Sequence, residues 1–195
     1  MQGDSDAALW LAATSGSQRA FVEIFDRYRK RVLAAAFRQT DSFDLAEEAT
    51  AVVFLELWRL RKKVRIVDDS LLPWLFVVTT NVCRNLTRAK RRYSVMLAKL
   101  PPGADEPDVA DGVGEDIARE ETRRRVRQAL ASLDARDQVV VQLVMLEGYT
   151  VADAATALGL PVGTVKSRLY RARGRLRTIL APADIPWREE DADER

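Results

Sequence analysis

The chain has 195 residues, enough for one ordinary domain or two small ones, and 47% of them are hydrophobic, as is normal for a globular protein. There is no histidine and only one cysteine, Cys83, so an internal disulfide and a zinc site of the usual ligand types are excluded. The commonest general base is also absent, and we expect no enzyme, metal or cofactor. No apolar stretch approaches the ~18 residues of a membrane-spanning helix, and the N-terminus does not resemble a signal peptide because no basic residue comes before its short apolar patch. We therefore expect a cytoplasmic protein without membrane insertion.

The net charge of +2 conceals an alternation of charge along the chain. Residues 1–100 carry an excess of six positive charges and residues 123–181 an excess of seven, whereas residues 101–122 and the tail 182–195 have net charges of −7 and −4. Basic blocks suit polyanionic partners. Because the stretch 100–116 is acidic, has three prolines and three glycines and lacks aromatic residues, we expect it to be a flexible linker between the two basic blocks.

Three amphipathic helices are predicted within the first basic block, and no segment shows the period-two alternation typical of strands. The first begins after the N-cap Ser17 and continues to about Gln39, and the second ends in the basic run 59–65. The third follows a turn and cap signal at 68–70 and continues into the basic run 88–92. The expected core positions are Phe21, Ile24, Phe25, Tyr28, Val32, Ala36, Ala46, Ala49, Val53, Leu57, Leu60, Leu75, Val78, Val82 and Leu86, together with Phe54 and Trp58.

A helix-turn-helix is predicted within the second basic block. Thr150 is the N-cap of a short helix over 151–158, and Gly159 ends that helix because glycine takes the left-handed conformation at low cost. Pro161 cannot extend the short helix but tolerates the first turn of the next, which we expect over about 162–178. A further helix is predicted before this motif, with Asp134 as its N-cap and Asp137 at the capping-box distance. Gly148 ends this helix, and its apolar face is Val139, Val140, Leu143, Val144 and Leu146.

The second helix of this motif divides into an apolar and a polar face. The expected buried positions of the motif are Leu158, Leu160, Val165, Leu169 and Leu176. The expected outward positions are Thr164, Lys166, Ser167, Arg168, Tyr170 and Arg171. Lysine and arginine reach phosphates or guanine acceptors in a major groove, and hydroxyl groups donate to either, so this face predicts DNA binding.

Two parts of the sequence resemble a known family. GLPVGTVKSRLYRARGRLR, with SLDARDQVVVQLVMLEGYTVADAATAL before it, resembles the fourth conserved region of bacterial sigma factors, and most of all the extracytoplasmic-function (group IV) class of the sigma-70 family. AFVEIFDRYRKRV, DLAEEATAVVFLELW and LPWLFVVTTNVCRNLTRAKRR resemble the second conserved region. The resemblance covers about residues 17–97 and 123–179, in the family's order.

The resemblance implies an all-α sigma factor of two small helical domains, which binds core RNA polymerase at the β′ clamp and β flap and directs initiation at promoter DNA. The implied divisions are a region 2-like domain over 1–97, an acidic linker over 98–122, a region 4-like domain over 123–181 and an acidic tail over 182–195. An anti-sigma protein is a common partner in the family, and the sequence shows no specific site for one.

In this family the C-terminal domain reads the minus-35 promoter element, and the second region captures one strand of the melted minus-10 element. The implied minus-35 residues are Lys166, Ser167 and Tyr170 at base edges and Arg168, Arg171 and Arg173 at phosphates, with Thr164 beside them. The implied minus-10 residues are Asn81, Arg84, Asn85, Arg88, Arg91 and Arg92, next to Lys90. The segment Lys63 to Leu72 would be the pocket loop, and Trp74 after it either packs or wedges at the fork.

Clamp binding in the family uses an acidic, amphipathic helix. The implied residues here are Asp44, Glu47, Glu48, Leu55 and Trp58. The chain departs from the family at Ala51-Val52, where members usually carry Gln-Glu, and at Glu48, where aspartate is frequent. We therefore expect binding to polymerase that is weaker than, or tuned differently from, that of other members.

Two other functions are compatible with part of the sequence. A stand-alone helix-turn-helix regulator would account for the second basic block and leave residues 17–97 unexplained, because no alternating strand and helix pattern of a receiver domain is present. A nucleic-acid enzyme such as a recombinase would need a nucleophile or a metal cluster, and no such constellation stands out. Cys83 lies inside a predicted helix, where a buried apolar role is expected.

Overall fold

A computed structural model of the chain describes residues 4–97 and 117–180, with the side chains of the second range described from Glu121 onward. These ranges fold into eight α-helices and contain no β-strand, so the predicted all-α class is confirmed. None of the described helices has the length and apolar character needed to cross a membrane. Most of the predicted linker and the acidic tail with Trp187 lie outside the described residues.

The first unit consists of four helices. They are α1 over Asp6–Thr14, α2 over Gln18–Thr40, α3 over Phe43–Arg59 and α4 over Leu72–Leu97. As predicted, Ser17 caps α2, and its hydroxyl accepts from the backbone N–H of Ala20. The left-handed Asp41 ends α2, and the Ser42 hydroxyl caps α3 by accepting from Leu45 N–H.

The first unit differs from the prediction by one additional helix, and the structure fixes two helix ends that the sequence placed only by their basic runs. Helix α1 was not predicted, although Ser5 caps it and Leu9, Trp10 and Ala13 bury one face at helical spacing. Helix α3 ends at Arg59, and the basic run after it forms a short 3₁₀ turn over Arg61–Lys63. Helix α4 continues beyond the basic run 88–92 to Leu97.

The second unit consists of α5 over Ile117–Ser132, α6 over Ala135–Val141, α7 over Val151–Leu158 and α8 over Val162–Leu180. Helix α5 begins within the stretch predicted as linker, and α6 continues as a π-helical segment over Gln142–Leu146. The predicted caps are present: Asp134 accepts from the N–H groups of Arg136 and Asp137, and Thr150 accepts from that of Asp153. Gly148 and Gly159 have φ of 76° and 63°, in the left-handed region.

One hydrophobic cluster joins the two units. It contains fully buried side chains of the first unit such as Ile24 and Phe76, and of the second unit such as Val140, Leu143 and Val165. A smaller cluster between α5, α6 and α8 includes Ala129, Leu133, Val141, Ala172, Leu176 and Leu180. The units that the sequence predicted as separate domains are therefore packed against each other in this structure.

Polar contacts border the shared cluster. Arg31 pairs with Glu147, and Arg127 pairs with Asp41 and lies over the Phe37 ring. The Arg38 Nη2 donates to Gln142 Oε1 at 3.2 Å. Burial lowers the pKa of Arg38, although the Glu147 carboxylate opposes this shift. These contacts form a polar rim around the hydrophobic cluster that the two units share.

Two expected core residues are exposed. Trp58 leaves 41% of its surface exposed, although its neighbour Phe54 is in the core as predicted. Leu146 is 46% exposed, because the π-helical segment turns it away from the apolar face that Leu143 continues. Leu60 is half-buried as the residue that ends α3.

Candidate nucleic-acid interface

Helix α8 presents the first candidate surface, and its N-terminus is built by local sequence. The left-handed Gly159 ends α7, and the Pro161 carbonyl accepts from the N–H groups of Thr164 and Val165 at 2.9 and 3.2 Å, which begins α8. Val165 and Leu169 are buried against the core. Because one face of α8 is anchored in this way, the opposite face is directed to solvent.

The exposed face of α8 contains most of the predicted minus-35 residues. Lys166, Ser167, Tyr170 and Arg171 are exposed, and Tyr170 is 81% exposed, more than any other large hydrophobic side chain in the described residues. Thr164, Arg168 and Arg173 are half-buried, at the edges of the face. The Ser167 hydroxyl donates to the Thr164 carbonyl at 3.0 Å, so its oxygen keeps its acceptor capacity toward a base edge.

Arg171 also has a structural contact. Its Nη2 lies 3.8 Å from Oδ1 of the buried Asp137, an atom that has no hydrogen-bond partner within the described residues. The guanidinium therefore compensates a buried carboxylate of α6. Because 63% of the Arg171 side chain is exposed, it can still reach a phosphate.

The second half of α4 presents the other candidate surface. The predicted minus-10 residues on it, Asn81, Arg84, Asn85, Arg88, Arg91 and Arg92, are all exposed. Asn81 and Asn85 lie one turn apart and line a groove of about 360 Å³ between α3 and α4, together with Glu56 and Arg59. Amide groups at the edge of such a groove can donate to and accept from an unstacked base.

The arginines of α4 border two further grooves. Arg84 and Arg88 line a cavity of about 270 Å³ between α4 and the second unit, and Asp134 and Gln138 lie across it. Arg88, Arg91 and Arg92 line an open groove of about 560 Å³ together with Asn85. Asn85 therefore belongs both to the groove that contains Asn81 and to the arginine-lined groove beside it.

The predicted pocket loop lies between α3 and α4. Its centre is a tight turn in which Val67 and Ser70 exchange backbone hydrogen bonds of 3.2 and 3.0 Å. Asp68 and Asp69 at the tip both have positive φ, 50° and 51°, which is typical of a type I′ turn. The sequence signal at 68–70 predicted this turn correctly.

The contacts that hold this loop were not predicted from the sequence. The carboxylate of Asp6 in α1 is buried and accepts from Leu71 N–H at 2.7 Å, from the hydroxyl of Tyr28 and from the guanidinium of Arg27. In return, Asp69 Oδ1 accepts from Ala7 N–H in the first turn of α1 at 2.9 Å. An aspartate directly after a serine N-cap is a common helix start, and no sequence feature distinguishes this one.

The predicted polymerase-binding residues share one stripe of α3. Asp44, Glu47 and Glu48 are exposed toward its N-terminus, and Leu55 and Trp58 are 68% and 41% exposed toward its C-terminus. A negative charge near the helix N-terminus is favourable for the helix dipole, so the acidic end has a structural role as well.

An apolar groove of about 810 Å³ lies at the C-terminal end of this stripe, between α3, α2 and the turn after α1. Its aromatic wall is formed by Phe21, whose ring meets Trp58 edge-on at 5.5 Å, and by Phe25, which meets Phe54 at 4.7 Å. Of the departures from the family, Ala51 lines this groove, whereas Val52 is half-buried and lines the groove that contains Asn81. The departure therefore makes both grooves more apolar.

Trp74 and Cys83 have packing roles in this structure. Trp74 is half-buried and packs on the main hydrophobic cluster. Cys83 is 2% exposed, and burial raises the pKa of its thiol to about 12, so it is a neutral apolar side chain at physiological pH.

Comparison with known proteins identifies the family of both halves. The sequence model of sigma-70 region 2 matches residues 24–93, and that of sigma-70 region 4 matches residues 123–176. The chain is 34% identical over 177 residues to the ECF RNA polymerase sigma factor SigM of Mycobacterium tuberculosis strain H37Rv, covering 90% of this chain and 85% of SigM. It is 28% identical over 181 residues to the ECF sigma factor SigK of Mycobacterium bovis BCG, covering 92% and 95%.

Solved structures show the same architecture. CnrH, solved in complex with the cytosolic domain of CnrY, matches with a TM-score of 0.62 and 26% identity, over 91% of this chain and 97% of CnrH. The sigma factor RpoE from Bartonella quintana, solved with the anti-sigma factor NepR, matches with a TM-score of 0.54 and 23% identity, over 82% and 96%.

Proposed function

Because the chain belongs to the extracytoplasmic-function class of RNA polymerase sigma factors, we propose that it directs core polymerase to promoters by reading two DNA elements. Helix α8 reads the minus-35 element, and α4 with the loop before it reads the minus-10 element. The observation that carries this proposal is the presence of an exposed polar and basic helix face on each of two units, which one polymerase-bound chain can apply to the same promoter.

The α8 face suits a major groove. Lys166 and Tyr170 are one turn apart on the solvent side, so both can approach base edges, and the half-buried Arg168 and Arg173 flank them at the positions where phosphates would lie. The N-terminus of α8 adds N–H groups that favour a phosphate. We assign base contacts to Lys166, Ser167 and Tyr170, and backbone contacts to the arginines.

The α4 surface suits a single strand. Asn81 and Asn85 border a groove that can hold an unstacked base, and Arg88, Arg91 and Arg92 continue the helix as a basic track for the backbone. Strand capture of this kind requires contacts to one base and to several phosphates at once. A stand-alone regulator needs no such second surface.

The α3 stripe suits the polymerase clamp. Leu55 and Trp58 are large apolar side chains that remain exposed, and exposed apolar surface beside charged residues is typical of a protein interface. We propose that α3 binds the β′ clamp and that the second unit binds the β flap, so that the chain acts in the cytoplasm with polymerase. Because Ala51 and Val52 cannot supply polar contacts, apolar contacts in the groove provide most of the affinity.

An anti-sigma protein is a further proposed partner. The similar protein CnrH was solved in complex with another protein, the cytosolic domain of CnrY, and the family resemblance implies an inhibitor of this class. The apolar groove beside α3 is an uncovered surface to which either polymerase or such an inhibitor can bind.

Run-off transcription with purified core polymerase tests the proposal. Specific transcripts should appear only when the chain is present. Lys166→Glu should abolish them on promoters that have a minus-35 element, and Asn81→Asp should abolish them on all promoters. Lys30→Glu and Gln128→Glu make the same charge changes at exposed positions outside both surfaces and should leave transcription unchanged. Tight, sequence-specific DNA binding without any polymerase-dependent transcript would instead identify a stand-alone regulator.

Polymerase binding is measured separately. Leu55→Ser removes an exposed apolar side chain at little cost in folding and should weaken binding to core polymerase by about tenfold or more, as expected for an interface anchor. Leu11→Ser changes a leucine of equal exposure on α1 that does not line the groove, and it serves as the matched control. Equal affinity of the two variants for core polymerase would show that this part of α3 does not contribute to the interface.

A further inference from the structure

The loop between α3 and α4 has at its tip a backbone conformation that is uncommon for non-glycine residues. Asp68 and Asp69 are consecutive non-glycine residues with positive φ, and such residues persist only where the surrounding structure fixes them. The two backbone hydrogen bonds between Val67 and Ser70 close the turn but do not orient it relative to α4. Contacts from outside the loop must therefore set its position.

Those contacts come mainly from α1. Asp6 Oδ2 accepts from Leu71 N–H at the point where the loop enters α4, and Tyr28 donates to the same oxygen. Arg27 Nη1 donates to the other oxygen at 2.7 Å, and Arg27 Nη2 donates to the Asp4 carbonyl at 2.9 Å. With three donors, the buried carboxylate is both charge-compensated and fixed in orientation.

The connection is reciprocal. Asp69 accepts from the N–H of Ala7, one of the unpaired donors at the N-terminus of α1, so the loop caps the helix that holds it. The second unit contributes one contact, from the Tyr149 hydroxyl to Ser70 Oγ at 3.3 Å. The Tyr28 hydroxyl also lies 3.5 Å from Ser70 Oγ, so three of these four polar attachments of the loop lie within the first unit.

From this arrangement we propose that Asp6 is a positioning residue for minus-10 recognition, which sets the loop over 63–72 from α1 before any DNA is bound. The proposal rests on the proposed function, in which this loop and Asn81 form the pocket for an unstacked base. It adds α1 to the recognition unit, although the match to sigma-70 region 2 begins only at residue 24. Asp6 touches no base in this scheme and acts through the backbone of Leu71.

Hydrogen exchange of the free, full-length chain tests the positioning step. In Asp6→Ala the amide of Leu71 loses its acceptor, and exchange in residues 67–71 should accelerate about tenfold or more, since a hydrogen bond to a charged group is worth that much. Amides of α8 should exchange as in the wild type. Asp4→Ala is the matched control, because only the backbone carbonyl of Asp4 contacts Arg27.

Holoenzyme binding to promoter fragments tests the link to recognition. The fragments expose a single-stranded minus-10 element, in the cognate sequence or with its bases substituted. Asp6→Ala should lower the ratio of affinities for cognate over substituted minus-10 by about tenfold, with core binding and minus-35 preference unchanged. Unchanged exchange in 67–71, or a loosened loop with unchanged discrimination, would overturn the proposal.

A second variant covers the case in which Asp6→Ala does not fold. Asp69→Gly removes the reciprocal bond to Ala7 from an exposed side chain, and glycine adopts the positive φ of this position without strain, so the variant should fold and show the same acceleration and loss of discrimination to a smaller degree. A folded Asp69→Gly without acceleration would count against the proposal. If wild-type holoenzyme ignores the minus-10 sequence, the proposed function fails, whereas the exchange data still decide whether Asp6 positions the loop.

Discussion

The two candidate recognition surfaces differ in the distance along the chain between each surface and the residues that hold it in place. The face of α8 is set by Thr150, Gly159 and Pro161, all within sixteen residues of Lys166. The loop before α4 is set by Asp6, which is 65 residues from the Leu71 amide that it holds. The contrast shows that a surface on one helix can be specified by adjacent residues, whereas a surface made from a loop depends on the assembled fold.

The largest expected effects come from removing one buried leucine beneath each surface. Leu71 is fully buried under the loop and Leu169 is 5% exposed under α8, and truncation of either to alanine should lower the unfolding free energy by about 3 kcal/mol. Urea unfolding measures the loss, and native-state hydrogen exchange locates it. If the two surfaces are held in place separately, hydrogen exchange should accelerate at the loop amides in Leu71→Ala and at the α8 amides in Leu169→Ala. Identical exchange patterns in the two variants would show one cooperative unit.

Tyr28→Phe removes one donor from Asp6 and should cost about 1–2 kcal/mol at neutral pH. Burial, and then the hydrogen bond to Asp6, raise the pKa of the Tyr28 phenol to about 12 from 10.0. The folded state therefore favours the neutral phenol, and the stability that Tyr28 contributes is complete below pH 10 and is lost as pH rises toward 12. Urea unfolding across this range should show the difference between wild type and Tyr28→Phe shrinking. A constant difference would contradict the assignment.

A pair of glycine substitutions probes the local support of α8. Gly159 has φ of 63°, so Gly159→Ala should destabilise the second unit by about 1 kcal/mol. Gly174 lies within α8, where an added Cβ meets nothing within 4 Å, and Gly174→Ala should stabilise the chain by up to about 1 kcal/mol. Thermal unfolding should move in opposite directions for the two variants. A shift of the same sign would mean that the backbone of α7 and α8 is held by other contacts.

The smallest effect is expected at the rim between the units. Arg31 is 47% exposed where it pairs with Glu147, so Arg31→Ala should cost less than about 1 kcal/mol. Small-angle scattering should show the compact arrangement preserved, because the shared hydrophobic cluster is intact. Expansion of the variant at physiological salt would show that the polar rim, and not the cluster, holds the units together.

Local sequence signals predicted most of the helix ends. Ser17, Asp134, Thr150 and Gly159 act at the termini that they were expected to define, because capping depends on residues within one turn. The exposed face of α8 could be predicted for the same reason, because the spacing of its apolar residues is also a local property of the sequence. Helix α1 was not predicted because its 9 residues are fewer than the roughly 11–18 over which a helical period can be recognised.

Features that depend on tertiary contacts could not be predicted in this way. The spacing of Trp58 fits a core position as well as an interface position, and only the packing of α2 against α3 leaves it at the edge of a groove. The partners of Asp6 lie on α2 and in a distant loop, so no local pattern indicates them. The sequence of the linker does not indicate how the two units pack against each other, so their packing could not be predicted either.

The π-helical segment after α6 has a consequence for insertions and deletions in this chain. Its wide turn, in which Glu147 N–H donates to the Gln142 carbonyl at 3.1 Å, holds one residue more than an α-helix of the same height. Five π-helical residues turn through about the same angle as four α-helical residues, so deleting one residue there would restore a regular α-helix and leave the direction of the following chain nearly unchanged. The contacts of Glu147 with Arg31 and of Tyr149 with Ser70 should survive such a deletion, whereas loss of one residue from the regular part of α6 would rotate all that follows by about 100° and break them. This one turn is therefore where the length of the chain can change at the least cost to the packing of the two units.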